Sequence, residues 1–298
     1  MRGLSQKLVL ALLFSYLPMF AWAETTVHVE SSLYHTIYIV EDNGMRCLRF
    51  TPTSAGGTQT CFLPYFPDEL QFPNIKMMLG ALYIQPDPKK ILMIGLGGGS
   101  LPTTLAKLYP EAMIETVEID PTVIKIAEKY FEYHPGPKQR AVAEDGRVFV
   151  KRAREEGTRY DLILLDAFNA PVIPEHLTTR EFLAEVKNIL APHGAFTINT
   201  VPRAEMYDHE STTYESVFGK FFNLRTGGNR VILIAADGLP TMDVLQANAA
   251  RLDARLSRFG LDSNWLFPYI MTTRDWDPTA RILTDQYAPS NLLGVTPR

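Results

Sequence analysis

The chain has 298 residues, 46% of them hydrophobic and 21% charged, and a formal net charge of −4. These proportions describe a globular protein with room for one substantial core and a smaller appended unit, and they exclude a disordered chain. Lys and Arg are scattered and outnumbered, 29 against 33 Asp and Glu, so there is no basic footprint and nucleic acid is not an expected partner.

Arg2 and Lys7 flank the start of a short apolar run, Leu8 to Phe20, and Ala21-Trp22-Ala23 has the small-x-small form of a cleavage site. This is the form of a secretory signal removed after Ala23, which predicts an exported, periplasmic or secreted protein. Ser15 and Pro18 interrupt the run, and it falls short of the roughly 20 residues a bilayer span needs. An uncleaved anchor is the alternative. Residues 34–50, YHTIYIVEDNGMRCLRF, alternate in polarity about Asp42-Asn43-Gly44, and Asn-Gly between alternating runs predicts a hairpin. A further strand-like piece, TQTCFLP, occupies 58–64, so residues 24–73 read as a small antiparallel β unit. Cys47 and Cys61 both fall in it, fourteen positions apart. A disulfide and a pair of half-buried thiols are both open. The six histidines are dispersed, and no Cys/His cluster has metal-ligand spacing, which predicts no metal. Asn74 is expected to cap a helix over IKMMLGALYI that ends before Pro86.

Beyond that point strands and helices alternate. Strands are predicted at 90–95, 113–119, 140–143, 161–166, 194–200 and 230–236, and helices at 102–109, 121–131, 147–156, 179–190 and 210–219. This order predicts a mostly parallel sheet covered on both faces, with ligands beyond the carboxyl ends of its strands.

Four stations fall at such ends. In ILMIGLGGGSLPTTLAKLYP (91–110), Gly95, Gly97, Gly98 and Gly99 allow the backbone to approach a ligand, and the following helix offers free N–H groups. No Lys follows the last glycine, which excludes a P-loop, and Ser100 stands where a dinucleotide fingerprint wants a third Gly. Glu118 lies 21 positions after Gly97, the place of an acid that accepts ribose hydroxyls. Asp120, before Pro121, reads as an N-cap. Asp145-Gly146 precedes a helix, where Asp145 either caps or accepts from an adenine amino group. Asp166 ends the apolar run YDLILLD. A carboxylate buried there is costly unless used, and burial suits it to be a general base. Thr178 and Glu181 read as a capping box for the next helix.

Together SSLYHTIYIVEDNGMRCLRF, IGLGGGS, VEID, EDG and YDLILLDAF resemble the spermidine synthase family, the polyamine aminopropyltransferases built on the class I methyltransferase fold. The resemblance implies an α/β fold: a Rossmann-like class I methyltransferase sheet over residues 74–298, preceded by the small antiparallel β domain. As co-substrate it implies S-adenosylmethionine or its decarboxylated form. The loop Gly95, Gly97, Gly98, Gly99 and Ser100 would lie near the sulfonium arm, Glu118 on the ribose and Asp145-Gly146 by the adenine. Asp166 would deprotonate a small-molecule amine acceptor such as putrescine, and the protein would form a homodimer through its N-terminal unit.

The departures are specific. Where the family's loop reads G-G-G-D-G this chain has Ser100, and D-[ST]-[ST]-D-P becomes Asp166-Ala167-Phe168-Asn169-Ala170. Phe72-Pro73 stand for a Tyr-His pair and His35 for a Gln. Each lost group binds a cationic amine, where a hydrogen bond to charge is worth roughly 1.5–3 kcal/mol. Losing two such carboxylates weakens a diamine site by roughly several powers of ten. Aminopropyl transfer is the expected activity because the resemblance implies it, and the departures add nothing to it. Its alternatives are methyl transfer from S-adenosylmethionine and an exported, non-catalytic nucleoside- or polyamine-binding protein.

Overall fold

A computed structural model describes residues 24–54, 57–168, 173–200, 202 and 204–289; the expected leader, 1–23, lies outside the described residues. Strands β1 (Thr25–Ser31), β2 (Thr36–Asp42), β3 (Met45–Arg49) and β4 (Thr58–Phe62) form an antiparallel sheet in chain order. Asn43 and Gly44 turn β2 into β3 with φ of 51° and 79°, the positive pair that a tight hairpin turn demands and that Asn-Gly supplies. Alternation sends Ile37, Ile39 and Leu48 to one face, where they pack on Val123, Ile126 and Phe131. That contact seats the small sheet against helix α3 (Pro121–Tyr130).

On the opposite face, the β3–β4 register sets Cys47 directly across from Cys61, and the two are disulfide-bonded. The bond closes a 14-residue separation, and a loop of that size stabilises by ~3 kcal/mol through the unfolded chain. The Cys47→Ser, Cys61→Ser double variant should lose about that much in urea unfolding compared with the oxidised protein; an unchanged midpoint would contradict the bond's contribution.

The second sheet has eight strands: β5 (Lys90–Ile94), β6 (Met113–Glu118), β7 (Gln139–Ala143), β8 (Tyr160–Leu165), β9 (Leu190–Thr200), β10 (Phe222–Arg225), β11 (Arg230–Ala235) and β12 (Ile270–Met271). Their spatial order is β12-β10-β11-β9-β8-β5-β6-β7. Strands β7, β6, β5, β8 and β9 run parallel, and β11 is antiparallel to β9. The runs KILMI and DLILL are apolar at nearly every position because both faces are covered. Ile91, Met93, Leu162 and Leu164 meet residues of α1 (Pro73–Met78), α2 (Ser100–Leu108) and α7 (Met242–Leu256) on one side. On the other, Leu92, Ile94, Ile163 and Leu165 meet α4 (Gly146–Glu155) and α5 (Arg180–Ile189). This is the Rossmann-like class I methyltransferase sheet that the motifs imply, with the small antiparallel sheet added.

Several local expectations differ from the structure. Helix α1 starts at Pro73 with Phe72 as N-cap and no side-chain cap bond, so Asn74 lies inside the helix; proline at the first helical position is enough to set the start. Helix α5 is capped by Thr179, whose hydroxyl accepts the Phe182 N–H at 3.2 Å. Thr178 is taken instead by the preceding short turn, donating to the Glu175 carbonyl at 2.8 Å. Helix α6 (Ala204–Phe218) begins six residues before the expected 210, and β10, α7, the one-turn α8 (Ser263–Leu266) and β12 have no counterpart among the predicted elements.

Candidate active site

Strand β5 has β6 on one side and β8 on the other, so the chain reverses direction across the sheet at its carboxyl end. A cavity of about 270 Å³ opens there, at the position where open α/β sheets bind ligands. One wall is the loop after β5. Gly95 has φ of +95°, and a Cβ there would lie 2.2 Å from the Asp166 carbonyl oxygen, so any side chain would push β8's end away from β5. Gly97, with φ of +55°, faces open space. Gly95, Gly97, Gly98 and Ser100 line the cavity. Gly99 does not: it is the N-cap of α2 and packs on Tyr133.

Glu118 ends β6 and also lines the cavity. Its two oxygens accept the main-chain N–H groups of Leu96 and Asp120, each at 3.0 Å. Those bonds fix the carboxylate beside the glycine loop and leave each oxygen a lone pair for a diol. Burial raises the Glu118 pKa, opposed by the same N–H bonds. Asp120 caps α3 by accepting the Thr122 N–H at 2.9 Å, as expected, and its second oxygen accepts the Ser32 hydroxyl at 2.5 Å. The turn before β2 is thereby tied to the crevice.

Asp145 resolves into a cap with a second partner. One oxygen accepts the Arg147 and Val148 N–H groups that start α4, and the other accepts from His176 Nε2 at 2.8 Å. The His176 bond holds the Asp145 carboxyl below its ordinary range. Asp145, Gly146 and His176 all line the cavity.

Asp166 follows β8. Its main-chain N–H is bonded to the Ile94 carbonyl at 2.8 Å, and one carboxylate oxygen accepts from Asn199 at 2.7 Å. Removal from water pushes its pKa up, with the Asn199 bond acting in the opposite direction. The predicted acids Glu118, Asp145 and Asp166 therefore share one cavity with the glycine loop.

The sequence did not single out the wall opposite. Gln59 and Thr60 of β4, Tyr34 and His35 from the turn before β2, and Phe50 just after β3 line the cavity; of these His35 alone stands out in the sequence, as a departure from the family pattern. Thr60 lies 3.3 Å from the Ser100 hydroxyl. His35 stacks on Phe50 with ring centroids 3.9 Å apart, and burial lowers its pKa, partly opposed by Asp120. A neutral imidazole there does not repel a cationic ligand. Phe168 supplies further apolar lining.

The chain is similar to known proteins in sequence and in fold. Residues 76–225 match the spermine/spermidine synthase domain. A polyamine aminopropyltransferase of Vibrio vulnificus is 46% identical over 292 residues, covering 96% of this chain and 97% of that protein. Among solved structures, a probable spermidine synthase from Corynebacterium glutamicum shares the fold with a TM-score of 0.65 at 16% identity, over 86% of this chain and 98% of that one. Human methyltransferase-like protein 13 in complex with SAH superposes with a TM-score of 0.58 at 26% identity, over 70% of this chain and 97% of that one. With the fold, the acids at the strand ends and a relative matched over nearly its whole length, the chain belongs to the spermine/spermidine synthase family of transferases.

Proposed function

We propose that the protein transfers an aminopropyl group from decarboxylated S-adenosylmethionine to an amine acceptor such as putrescine. The observation that carries this reading is the convergence of Glu118 and Asp166, from opposite sides of β5, on one cavity with the glycine loop between them. Glu118 takes the ribose hydroxyls and so fixes the nucleoside's long axis. Asp145 has one lone pair beyond its cap and His176 bonds for the adenine amino group. Asp166 removes a proton from the acceptor ammonium. The freed nitrogen pair attacks the carbon next to sulfur, the C–S bond breaks, and neutral methylthioadenosine leaves. Incubation with decarboxylated S-adenosylmethionine and putrescine should give spermidine and methylthioadenosine in equal amounts. Neither product at enzyme concentrations equal to substrate would overturn the reading.

Ser100 supports a second reading, methyl transfer from S-adenosylmethionine. No carboxylate occupies its place by the sulfonium arm, so a methionine carboxylate meets no like charge there, and the likeness to an SAH-bound methyltransferase points the same way. The variant Ser100→Asp should favour the decarboxylated nucleoside over the carboxylated one by at least ~10-fold, the equivalent of one charge-assisted hydrogen bond. Calorimetry with both nucleosides measures the ratio, and an unchanged ratio would place the arm elsewhere. Export through the 1–23 leader and homodimer formation belong to the proposal too. N-terminal sequencing of the periplasmic or secreted fraction should find Glu24 first, and sedimentation should find two chains; a cytosolic chain beginning at Met1, or a monomer, would contradict each in turn.

A further inference from the structure

We propose that Asn199 is a positioning residue for the reaction: its amide commits one carboxylate oxygen of Asp166 to the protein and so presents the other to the acceptor amine. The inference rests on Asp166 being the base. Strands β8 and β9 are parallel neighbours with Leu165 beside Ile198, so the next residues, Asp166 and Asn199, emerge side by side where the ladder ends. Asn199 Nδ2 donates to Asp166 Oδ1 at 2.7 Å. The Asp166 main chain is already held by Ile94, which leaves side-chain rotation as the freedom that Asn199 removes.

Asn199 is itself held firmly. It is 7% exposed, and its neighbour Thr200 donates to Glu210 at 2.7 Å. Glu210 in turn meets Arg230, fully buried, at 3.2 Å, and Arg230 lies opposite Thr200 in the β9–β11 register. A drift of β9's end would break a buried ion pair, which is strongly destabilising.

An amide suits this task chemically. It donates at every pH and carries no charge, so it orients the carboxylate without forming the ion pair that would make it a poor base. The other titratable groups lining the cavity are Tyr34, His35, Glu118, Asp120, Asp145 and His176, and among the described residues Asn199 is the side chain bonded to Asp166. The Asn199 bond favours ionised Asp166, so removing it raises the carboxyl pKa and moves the acidic limb of kcat/KM to higher pH.

The test compares Asn199→Ala with Asn199→Gln, which keeps the donor. In the alanine variant kcat should fall up to ~100-fold, the scale of a misplaced reacting group, with acceptor KM nearly unchanged. Its acidic limb should move up, and the glutamine variant should bring the limb back toward wild type. A ¹³C NMR titration of the Asp166 carboxyl with methylthioadenosine bound should show the same rise without needing turnover. That readout separates this proposal from the proposed reaction, which fails alone if wild type is inactive while the titration still shifts. Unchanged kcat and titration in Asn199→Ala would overturn the proposal, as would a rise in KM alone, because Asn199 would then be touching the acceptor. Should the alanine variant not fold, Asn199→Thr, whose hydroxyl is too short to reach, carries the same expectations.

Discussion

Asp166→Asn should lower kcat for aminopropyl transfer by ~10²–10⁴-fold, the usual contribution of a positioned base, and leave the nucleoside's Kd nearly unchanged. The substitution is close to isosteric, so what it removes is the proton acceptor and its charge. Acceptor amines are mostly ammonium ions at neutral pH, and without a base the attacking lone pair is unavailable. The same residue sets the pH dependence. Burial holds Asp166 above the ordinary carboxylate range, so the ionised, competent form is lost as pH falls through that raised value. The kcat/KM profile should therefore decline on its acidic side at a higher pH than an exposed aspartate would give. Steady-state assay of methylthioadenosine release across pH checks both expectations, and a wild-type rate in Asp166→Asn would remove the base from the mechanism.

Glu118→Gln should weaken methylthioadenosine binding by at least ~10-fold and up to ~150-fold, the equivalent of losing one hydrogen bond to charge. The loss has two sources. The two Glu118 oxygens accept the N–H groups of Leu96 and Asp120, and a glutamine offers one acceptor and one donor where two acceptors are needed. One main-chain N–H is then left facing an NH₂ group, and the ribose loses a charged partner. Calorimetry measures the change directly. Wild-type affinity in Glu118→Gln would show that the sugar is held elsewhere.

The sequence carries the acids of this site more clearly than their surroundings. Asp166 is conspicuous because it closes an apolar run, which when buried on both faces reaches water only at the sheet's edge, and Glu118 because it lies 21 positions after Gly97. Asp120 announces its cap through the proline that follows. Asn199 gives no such signal: FTINT ends in small polar residues, and only the adjacency of β8 and β9 brings its amide to Asp166. His176 is a lone histidine after a proline-rich loop, and its partner Asp145 lies 31 positions earlier. The wall of Phe50, Gln59 and Thr60 is invisible for a related reason. Its place depends on Ile37, Ile39 and Leu48 docking on α3, a tertiary contact that strand periodicity does not specify. The disulfide shows the same limit, because a spacing of fourteen permits the bond but the β3–β4 register makes it. At α5 two threonines compete for one cap, and the short turn before the helix takes the first.

A crystal structure of the methylthioadenosine complex tests the central claim most directly. The account predicts both ribose hydroxyls within hydrogen-bond distance of Glu118, the adenine beside Asp145 and Gly146, and the sulfur directed toward the free oxygen of Asp166. A nucleoside bound outside the β5–β6–β8 crevice, or one whose sulfur points away from Asp166, would contradict it.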